Sequence, residues 1–483
     1  MAYKYAGINN RPFNAVCHNS YGREVITTNQ DVINSENIIE ELGKALAIHR
    51  QNEIEIDYLQ KYFSGDQPIL YRTKVTRPEI DNKFVVNLAY ELVMRKVAET
   101  CAEPIQYILR GVEESKGEEI TELNRIMDSE DKQEDDIEIC MWRSICGTAY
   151  RFVGNDNSKG ALLDESVFSL SAEDPRYNFV CYYSNKKPAF SCSMSKDKND
   201  NTQYLLFTNS EWFISDGKDI LSRGLNGNGA IPLIEYPNNV WRLSDIEITI
   251  GITDAINVLQ TNRIDGVEAF VNSWVKFVNC EVDRESFLNM RNEGALVVKS
   301  NNGENKADVD VMTSELNQSE GQVVFEDLFE RFLSIQGLAN RQGNTGGDTQ
   351  GAVNLRNGHF DSQLRASINE PILKKSERQM LRIVLNRLRI EKNFSLLPSD
   401  IEIHINHNKL DNMLVKAEVL EILLRCGIEF KRAIKAVDLF SDPEQVSQES
   451  FERMNFIYPT EGTQNAESIE NKVEEDIVVT KTE

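Results

Sequence analysis

Signatures of catalysis are scarce in this chain. It has five histidines, and none stands in a pattern typical of a nucleophilic triad. His404 and His407 have no Glu or Cys at zinc spacing. The chain has no GxSxG turn, and the glycines of G-N-T-G-G-D-T (343–349) are not followed by the Lys-Ser/Thr of a nucleotide-binding loop. We therefore expect no enzymatic activity, no metal and no cofactor.

Membrane and secretion signals are missing as well. The first residues, M-A-Y-K-Y-A-G-I-N-N, lack a basic segment followed by an apolar one, and no apolar run approaches the roughly 20 residues of a membrane helix. The eight cysteines are scattered without a CxxC pair, which predicts reduced and mostly buried thiols. The sequence predicts a soluble, cytoplasmic protein without a membrane partner.

Positive charge is also in short supply. The 53 Lys and Arg residues face 77 Asp and Glu residues, so that the net charge is −24. A broad basic surface for nucleic acid is therefore not expected, because the neutralisation of phosphates needs clustered cations. The balance is still compatible with a protein through which DNA passes without being gripped. At 483 residues, the chain is long enough for several cores.

Apolar periodicity predicts a helix-dominated α+β protein. Helices are predicted at Ser35–Ile48 and Asn82–Cys101, and again at Ser244–Asn272, where Ser244 and Glu247 have the spacing of a capping box. Between Gly147 and Pro237, short runs of β-formers alternate with turn residues, which predicts a mostly antiparallel sheet region. Strands at Trp274–Val282, Ala295–Lys299 and Val309–Met312, with a short helix near Glu285–Asn292, complete the prediction for a compact insertion.

The segment D-S-E-D-K-Q-E-D-D (Asp128–Asp136) lies in an acidic region, Glu103–Glu138, with 13 acidic and 4 basic residues. Such carboxylates are a candidate site for Mg²⁺ or Ca²⁺, and a metal-dependent nuclease needs such a cluster. Gln133, however, stands where a calcium loop needs glycine. We favour the interpretation that these acids are solvated and lie at the start of the next helix, where its dipole stabilises them.

The most informative segment is a pair of long helical patterns around a glycine-rich loop. The first helix is predicted at Ser319–Gly337, with Val324, Leu328, Phe332 and Ile335 as its apolar stripe, widened by Phe325 and Phe329. The second is predicted from about Gly351 to Lys392, with a kink or restart at Pro371. The loop between them, Leu338–Gln350, carries only two charges, and a flexible loop held by two rods usually has a function at its tip.

The order of these parts resembles that of tailed-bacteriophage portal proteins of the SPP1-like type. The resemblance extends from about residue 80 to 455 and includes the helix–loop–helix at 319–392. The residues that carry it are also N-K-F-V-V-N-L-A-Y-E-L-V (82–93), I-P-L-I-E-Y-P-N-N-V-W-R-L-S-D-I-E (231–247), T-D-A-I-N-V-L-Q-T-N (253–262) and L-V-K-A-E-V-L-E-I-L-L-R-C-G-I-E (414–429).

The resemblance implies a portal fold with defined regions. These are a wing (1–243), two stem helices (244–273 and 318–337), a clip (274–317), a tunnel loop (338–354), a long kinked wing helix (355–395), a helical crown (396–460) and an acidic, disordered tail (461–483). It also implies a homo-oligomeric, usually dodecameric ring in the virion, through which double-stranded DNA is packaged and ejected. The implied partners are the terminase, the head–tail adaptor, and the major capsid and scaffolding proteins.

Three groups of residues follow as candidate sites. The DNA-facing tunnel loop would contain Asn340, Arg341, Gln342, Asn344, Thr345, Asp348 and Gln350. The acidic residues Glu320, Glu326, Asp327 and Glu330 would line the stem and repel phosphates, unless they are an ordinary solvated helix face. The basic residues Lys375, Arg378, Arg382 and Arg389 would contact DNA or, as we favour, acidic residues of the neighbouring subunit.

Two alternative functions remain open at this point. One is an adaptor or scaffold that binds protein partners and never encircles DNA. The other is the nuclease at Asp128–Asp136, which requires the binding of a divalent metal.

Overall fold

The computed structural model describes residues 22–75, 78–110, 114–155, 167–271, 274–278, 308–312, 318–338, 359–405 and 413–437, together with residues 446 and 450. It is a mixed helix and sheet protein, and the predicted α+β class is confirmed. Within these residues, every helix is too short or too polar to cross a membrane.

The N-terminal region is mainly helical. It contains β1 (Thr27–Thr28), α1 (Ile38–Phe63), a 3-10 turn (Pro68–Tyr71), α2 (Leu88–Cys101), β2 (Gln106–Leu109), α3 (Glu114–Ser129) and α4 (Lys132–Cys146). The predicted helix at Ser35–Ile48 is confirmed but continues for four more turns. Its second half was hidden because polar residues face the interior there: Asn52 exchanges hydrogen bonds of 2.9 Å with the backbone of Glu24, and Glu55 lies 3.2 Å from Arg23.

Helix α2 begins six residues later than predicted. Residues 82–87 lie outside any helix or strand instead, and Asn87 caps the helix by accepting a hydrogen bond of 3.2 Å from the backbone N–H of Tyr90. The apolar residues Phe84, Val85 and Val86 suggested helix, but the backbone donors of this segment are bound by another helix, as described below.

The predicted strand region is confirmed and forms two sheets. Its strands are β3 (Thr148–Asn155), β4 (Phe168–Glu173), β5 (Asn178–Tyr183), β6 (Pro188–Lys196), β7 (Thr202–Phe207), β8 (Glu211–Ser215), β9 (Ile220–Leu225) and β10 (Leu233–Pro237). One sheet has the order β1-β5-β6-β7-β8-β9 and the other β10-β3-β4. All pairs are antiparallel except β1 with β5. Strand β9 was not predicted, because only its ends are apolar.

The remaining elements are helices joined by short strands. They are a 3-10 turn (Glu247–Thr249), α5 (Ile250–Val271), β11 (Trp274–Val278), β12 (Asp308–Met312), α6 (Gln318–Gln336), α7 (His359–Lys392), β13 (Ile401–His404), α8 (Met413–Arg425) and α9 (Phe430–Val437). Ser244 and Glu247 form half of the predicted capping box, since Glu247 accepts a 2.8 Å bond from the Ser244 N–H. The α-helix nevertheless starts only at Ile250, because the first turn is 3-10.

Pro371 lies inside α7 and does not end it, so the helix does not restart there, and the predicted kink at Pro371 stays a prediction. A proline removes only one backbone hydrogen bond, and the turns around it keep theirs. The C-terminal half of α7 contributes Leu381, Val384 and Leu388 to the main buried cluster, which also contains residues of α3, β2, β3, β10 and β13. The other two predicted segments of the insertion, at 285–292 and 295–299, lie outside the described residues.

Two of the cysteines differ from the prediction. Cys101 and Cys140 form a disulfide between α2 and α4, so the prediction of reduced thiols is wrong for these two. They are 39 residues apart, and only the packing of the two helices brings them together. Cys146, Cys181 and Cys192 are buried free thiols as predicted, whereas Cys426 is exposed.

Candidate functional site

Helices α5 and α6 pack side by side through an aromatic row. The rings of Phe325, Phe329 and Phe332 on α6 are stacked at successive centroid distances of 5.9 and 6.4 Å. Phe332 and Leu333 are buried with Ile256 of α5. The predicted apolar stripe is rotated about the axis of α6 relative to the face that packs, since Val324 is 50% and Ile335 43% exposed. Both residues lie at the edge of the helix face that packs, where periodicity alone does not separate buried from exposed positions.

The free side of α6 is acidic. Glu320, Glu326, Asp327 and Glu330 are all exposed. Asp327 forms an ion pair of 3.0 Å with Arg331, and Glu326 accepts a hydrogen bond of 2.8 Å from Gln322. Most of the negative charge on this side is therefore not neutralised by its own helix. That these residues line a tunnel remains a prediction.

Helix α5 is held by a ladder of hydrogen bonds to residues 82–86. Asn257, Thr261 and Asp265 accept from the backbone N–H groups of Val86, Phe84 and Asn82 at 2.7, 3.2 and 3.0 Å. The acceptors are four residues apart, so they lie on one side of α5 at intervals of about 6 Å along its axis. We call this ladder the strap.

The three acceptors of the strap are buried, although they are polar residues inside a helix. Burial would raise the pKa of Asp265, but hydrogen bonds from Lys74 and Asn82 outweigh it and keep that pKa below its ordinary value. Sequence reasoning missed the strap. The available signal was the recurrence of Asn, Thr and Asp every four residues on one side of the helix.

Two residues of the acidic segment Asp128–Asp136 belong to a buried ion cluster, whereas the prediction placed them on a solvated surface. Lys132 lies 2.6 Å from Asp136 and 3.2 Å from Glu377 of α7, and both Lys132 and Asp136 are buried. Arg151 of β3 forms ion pairs with Asp136 and, at 3.1 Å, with Glu377. Two cations and two carboxylates thus balance one another where water is excluded.

Two tyrosines complete this cluster. Tyr107 and Tyr236 donate hydrogen bonds of 2.7 and 2.8 Å to Glu377. Burial would raise the pKa of Glu377, but the charges of Lys132 and Arg151 and the two tyrosine hydroxyls outweigh it and hold that pKa well below its usual range. The spacing of Lys132 and Asp136 was a readable signal, whereas the partners on β3 and α7 were not.

The other part of the prediction for this segment holds, since Glu134 and Asp135 lie in the first turn of α4. Within the described residues, no three His, Cys, Asp or Glu side chains are placed to hold a metal ion.

The basic residues of α7 lie on its outer side. Lys375, Arg378, Arg382 and Arg389 are all exposed. Among the described residues, Lys375, Arg378 and Arg382 have no acidic partner within ion-pair distance, while Arg389 donates to the carbonyl of Leu396 at 3.4 Å. Their role in contacts between subunits or with DNA stays a prediction.

The predicted tunnel-loop residues lie outside the described residues. They are Asn340, Arg341, Gln342, Asn344, Thr345, Asp348 and Gln350. The end of α6 before them is well defined: Gly337 adopts a left-handed conformation with φ of 66°, and the N–H of Leu338 donates to the carbonyl of Leu333 at 2.9 Å.

Comparison with known proteins identifies a family for most of the chain. A sequence profile of the family described as phage portal protein, SPP1 Gp6-like, matches residues 42–455. Among curated protein sequences, none matches significantly. Among solved structures, a chain from the neck of an empty GTA particle computed with C6 symmetry is similar to this one, with 9% identity, a TM-score of 0.46, and coverage of 73% of this chain and 90% of its own.

Proposed function

The chain belongs to the SPP1 Gp6-like family of phage portal proteins, and we propose that about a dozen copies of it form a ring through which double-stranded DNA is packaged and ejected. A portal protein is a structural component of the head–tail connector of a phage particle. Neither the adaptor nor the nuclease alternative is favoured by an observation in the described residues.

The acidic free side of α6 is the observation that carries this proposal. Around a ring, exposed Glu320, Glu326 and Glu330 would repeat in every copy and surround the channel with negative charge. Such a wall repels phosphates, so DNA passes without adhering to it. A channel that binds DNA through cations would instead slow its movement.

The described elements support the proposed stem and clip. Helix α5 leads into β11, and β12 leads into α6, and the two strands pair from Trp274 with Met312 to Val278 with Asp308. Two packed helices that end in one antiparallel ribbon suit a stem that carries a clip. We assign the clip to 274–317, where it would dock the terminase and later the head–tail adaptor, and the tunnel loop to 338–354.

The packing of the remaining elements supports the proposed wing and crown. The sheets, helices α1 to α4 and the C-terminal half of α7 would form the wing, in contact with the major capsid and scaffolding proteins. Leu396, Ile401, Ile403 and Ile405 are buried in the same cluster as β2. We therefore propose that the crown begins after Ile405 and contains α8 and α9, and that the ring assembles in the host cytoplasm before it enters the virion.

The first test is the mass of the purified full chain by light scattering, together with negative-stain images. We expect a closed ring of about a dozen subunits with a central channel as wide as a DNA duplex. A chain that stays monomeric, even with its scaffolding protein present, would contradict the proposal.

The second test concerns the wall of the channel. Glu326→Lys with Glu330→Lys should slow terminase-driven DNA packaging severalfold while leaving the ring intact, because cations would bind the passing phosphates. The effect should fade as salt screens the contact. The matched control reverses two exposed acids of the wing, Glu118→Lys with Glu402→Lys. An equal packaging rate in both double variants would contradict the role of the acidic stem.

A further inference from the structure

Helix α7 carries one continuous exposed stripe. It consists of Leu364, Ile368, Pro371, Lys375, Arg378, Arg382 and Arg389. Successive members are three, four or seven residues apart, so they lie on one side of the helix over about 38 Å. The stripe is apolar at its N-terminal end, where Leu364 is 53% and Ile368 67% exposed, and basic from Lys375 onwards.

The stripe is the side of α7 that the described chain leaves uncovered. Glu377, Met380, Leu381 and Val384 point into the protein and are completely or almost completely buried. Lys375, Arg378 and Arg382, by contrast, are exposed cations at distances of one turn that repel one another and have no ion-pair partner among the described residues. A negatively charged partner from outside the chain would remove that repulsion.

A negative surface lies at the junction of α3 and α4. It consists of the exposed side chains of Asp128, Asp131, Glu134 and Glu138. On α4, Glu134 and Glu138 point away from Lys132, because they lie about 120° to 160° around the helix axis from Lys132 and Asp136. Lys132 itself contacts Glu377 of α7 at 3.2 Å.

The buried ion cluster therefore lies between the two surfaces. It joins α4 to α7, and the acidic junction faces outward from α4 while the basic stripe faces outward from α7. A closed ring needs such an arrangement, because each copy must present two different, complementary surfaces to its two neighbours. Two such surfaces meet when neighbouring copies are related by rotation.

We infer that the stripe of α7 is an interface between subunits, and that it is occupied by the acidic junction of α3 and α4 from the neighbouring copy. This inference rests on the proposed ring. Charge complementarity orients the two surfaces and selects the correct neighbour, and the apolar end of the stripe adds water-excluding contact. DNA is the less suitable occupant, because Leu364 and Ile368 offer nothing to a phosphate backbone.

The test reverses the charge of the stripe in the full chain, with Lys375→Glu, Arg378→Glu and Arg382→Glu together. We expect the fraction of protein in rings, measured by light scattering at fixed concentration and low salt, to fall at least tenfold. Adding Asp131→Lys, Glu134→Lys and Glu138→Lys to the same chain should restore rings, because each copy then carries the two surfaces with exchanged charges. The matched control, Lys198→Glu with Lys218→Glu and Arg223→Glu, should form rings like the original chain.

A second measurement covers the case in which a reversed variant does not fold. In a Cys426→Ser background, Arg378→Cys with Glu134→Cys should give oxidised, intersubunit cross-linked ladders in denaturing gels, and each single cysteine should give none. The absence of ladders from rings that are intact would overturn the inference.

Other outcomes separate the inference from the proposed function. Rings that persist in the triple variant would overturn the inference alone, and a concurrent loss of DNA binding or packaging would assign the stripe to DNA. An original chain that never forms rings would overturn the proposed function, and the inference with it.

Discussion

The carboxyl groups of the buried Glu377 and the half-buried Asp254 lie in two regions of the molecule and have pKa values shifted in opposite directions. Where α4, β3 and α7 meet, the charges of Lys132 and Arg151 outweigh burial and keep Glu377 ionised. On α5, burial raises the pKa of Asp254 to about 6, and a hydrogen bond of 2.9 Å from Tyr62 counteracts it in part. The first region thus neutralises its buried charge within one chain, whereas α5 holds a carboxyl group that is costly to ionise.

The largest expected effect concerns the carboxyl group of Glu377. Glu377→Gln would leave Lys132 and Arg151 with only Asp136 as a carboxylate partner, and we expect the free energy of unfolding to fall by about 3–5 kcal/mol. Chemical denaturation of the full chain at neutral pH measures it. Glu402→Gln, at an exposed position of β13, is the control and should change stability by less than about 0.5 kcal/mol. Equal midpoints for the two variants would show that the cluster is not needed.

A smaller effect of opposite sign is expected at Asp254 on α5. Because the folded pKa of Asp254 lies above its ordinary value, the folded state binds the proton more tightly than the unfolded state does. The resulting penalty is absent below about pH 4, grows as pH rises to 6 and is constant above it. Asp254→Asn, which still accepts from Tyr62, should therefore stabilise the protein by about 2 kcal/mol at pH 8 and hardly at pH 4.

Denaturation curves between pH 4 and pH 8 check this difference. Asp327→Asn, at an exposed ion pair of α6, is the control and should leave the pH dependence unchanged. A gain in stability for Asp254→Asn that is the same at every pH would contradict the role of the carboxyl proton.

The smallest effect concerns the strap. Thr261→Val removes the hydroxyl that bonds to both the N–H and the carbonyl of Phe84, and we expect a loss of about 1 kcal/mol. Hydrogen exchange should accelerate at the amide of Phe84 and leave the amides of the central strands unchanged. Thr202→Val, on an exposed strand position, is the control. Unchanged exchange at Phe84 would show that the bond to Thr261 does not protect that amide.

The sequence predicted the elements whose patterns are local. The strands between Gly147 and Pro237 and the helix α6 were found because alternation and helical spacing are written into consecutive residues. The start of α2 was misplaced because the partners of residues 82–86 are side chains of α5, more than 170 positions away. The disulfide of Cys101 and Cys140 was missed for the same reason.

The candidate site shows the same division between local patterns, which were predicted, and distant partners, which were not. The exposed charges of α6 and α7 were identified because each set lies within one helix. The neighbouring Glu377, in the same basic segment as Arg378, was not distinguished from them, since its two cationic partners come from α4 and β3. Whether a charge within a helix is buried depends on what packs against that helix, which one segment of sequence does not contain.

The pairing of β11 with β12 has a consequence for how this protein can diverge. Val278 and Asp308 are partners in the ribbon, so the chain leaves and re-enters the ribbon at adjacent points. The stretch between them can lengthen, shorten or be exchanged at little cost beyond loop closure, while the helices on the other side of the ribbon keep their positions. A lineage can therefore replace this stretch by recombining a few dozen codons, and inherit α5 and α6 unaltered.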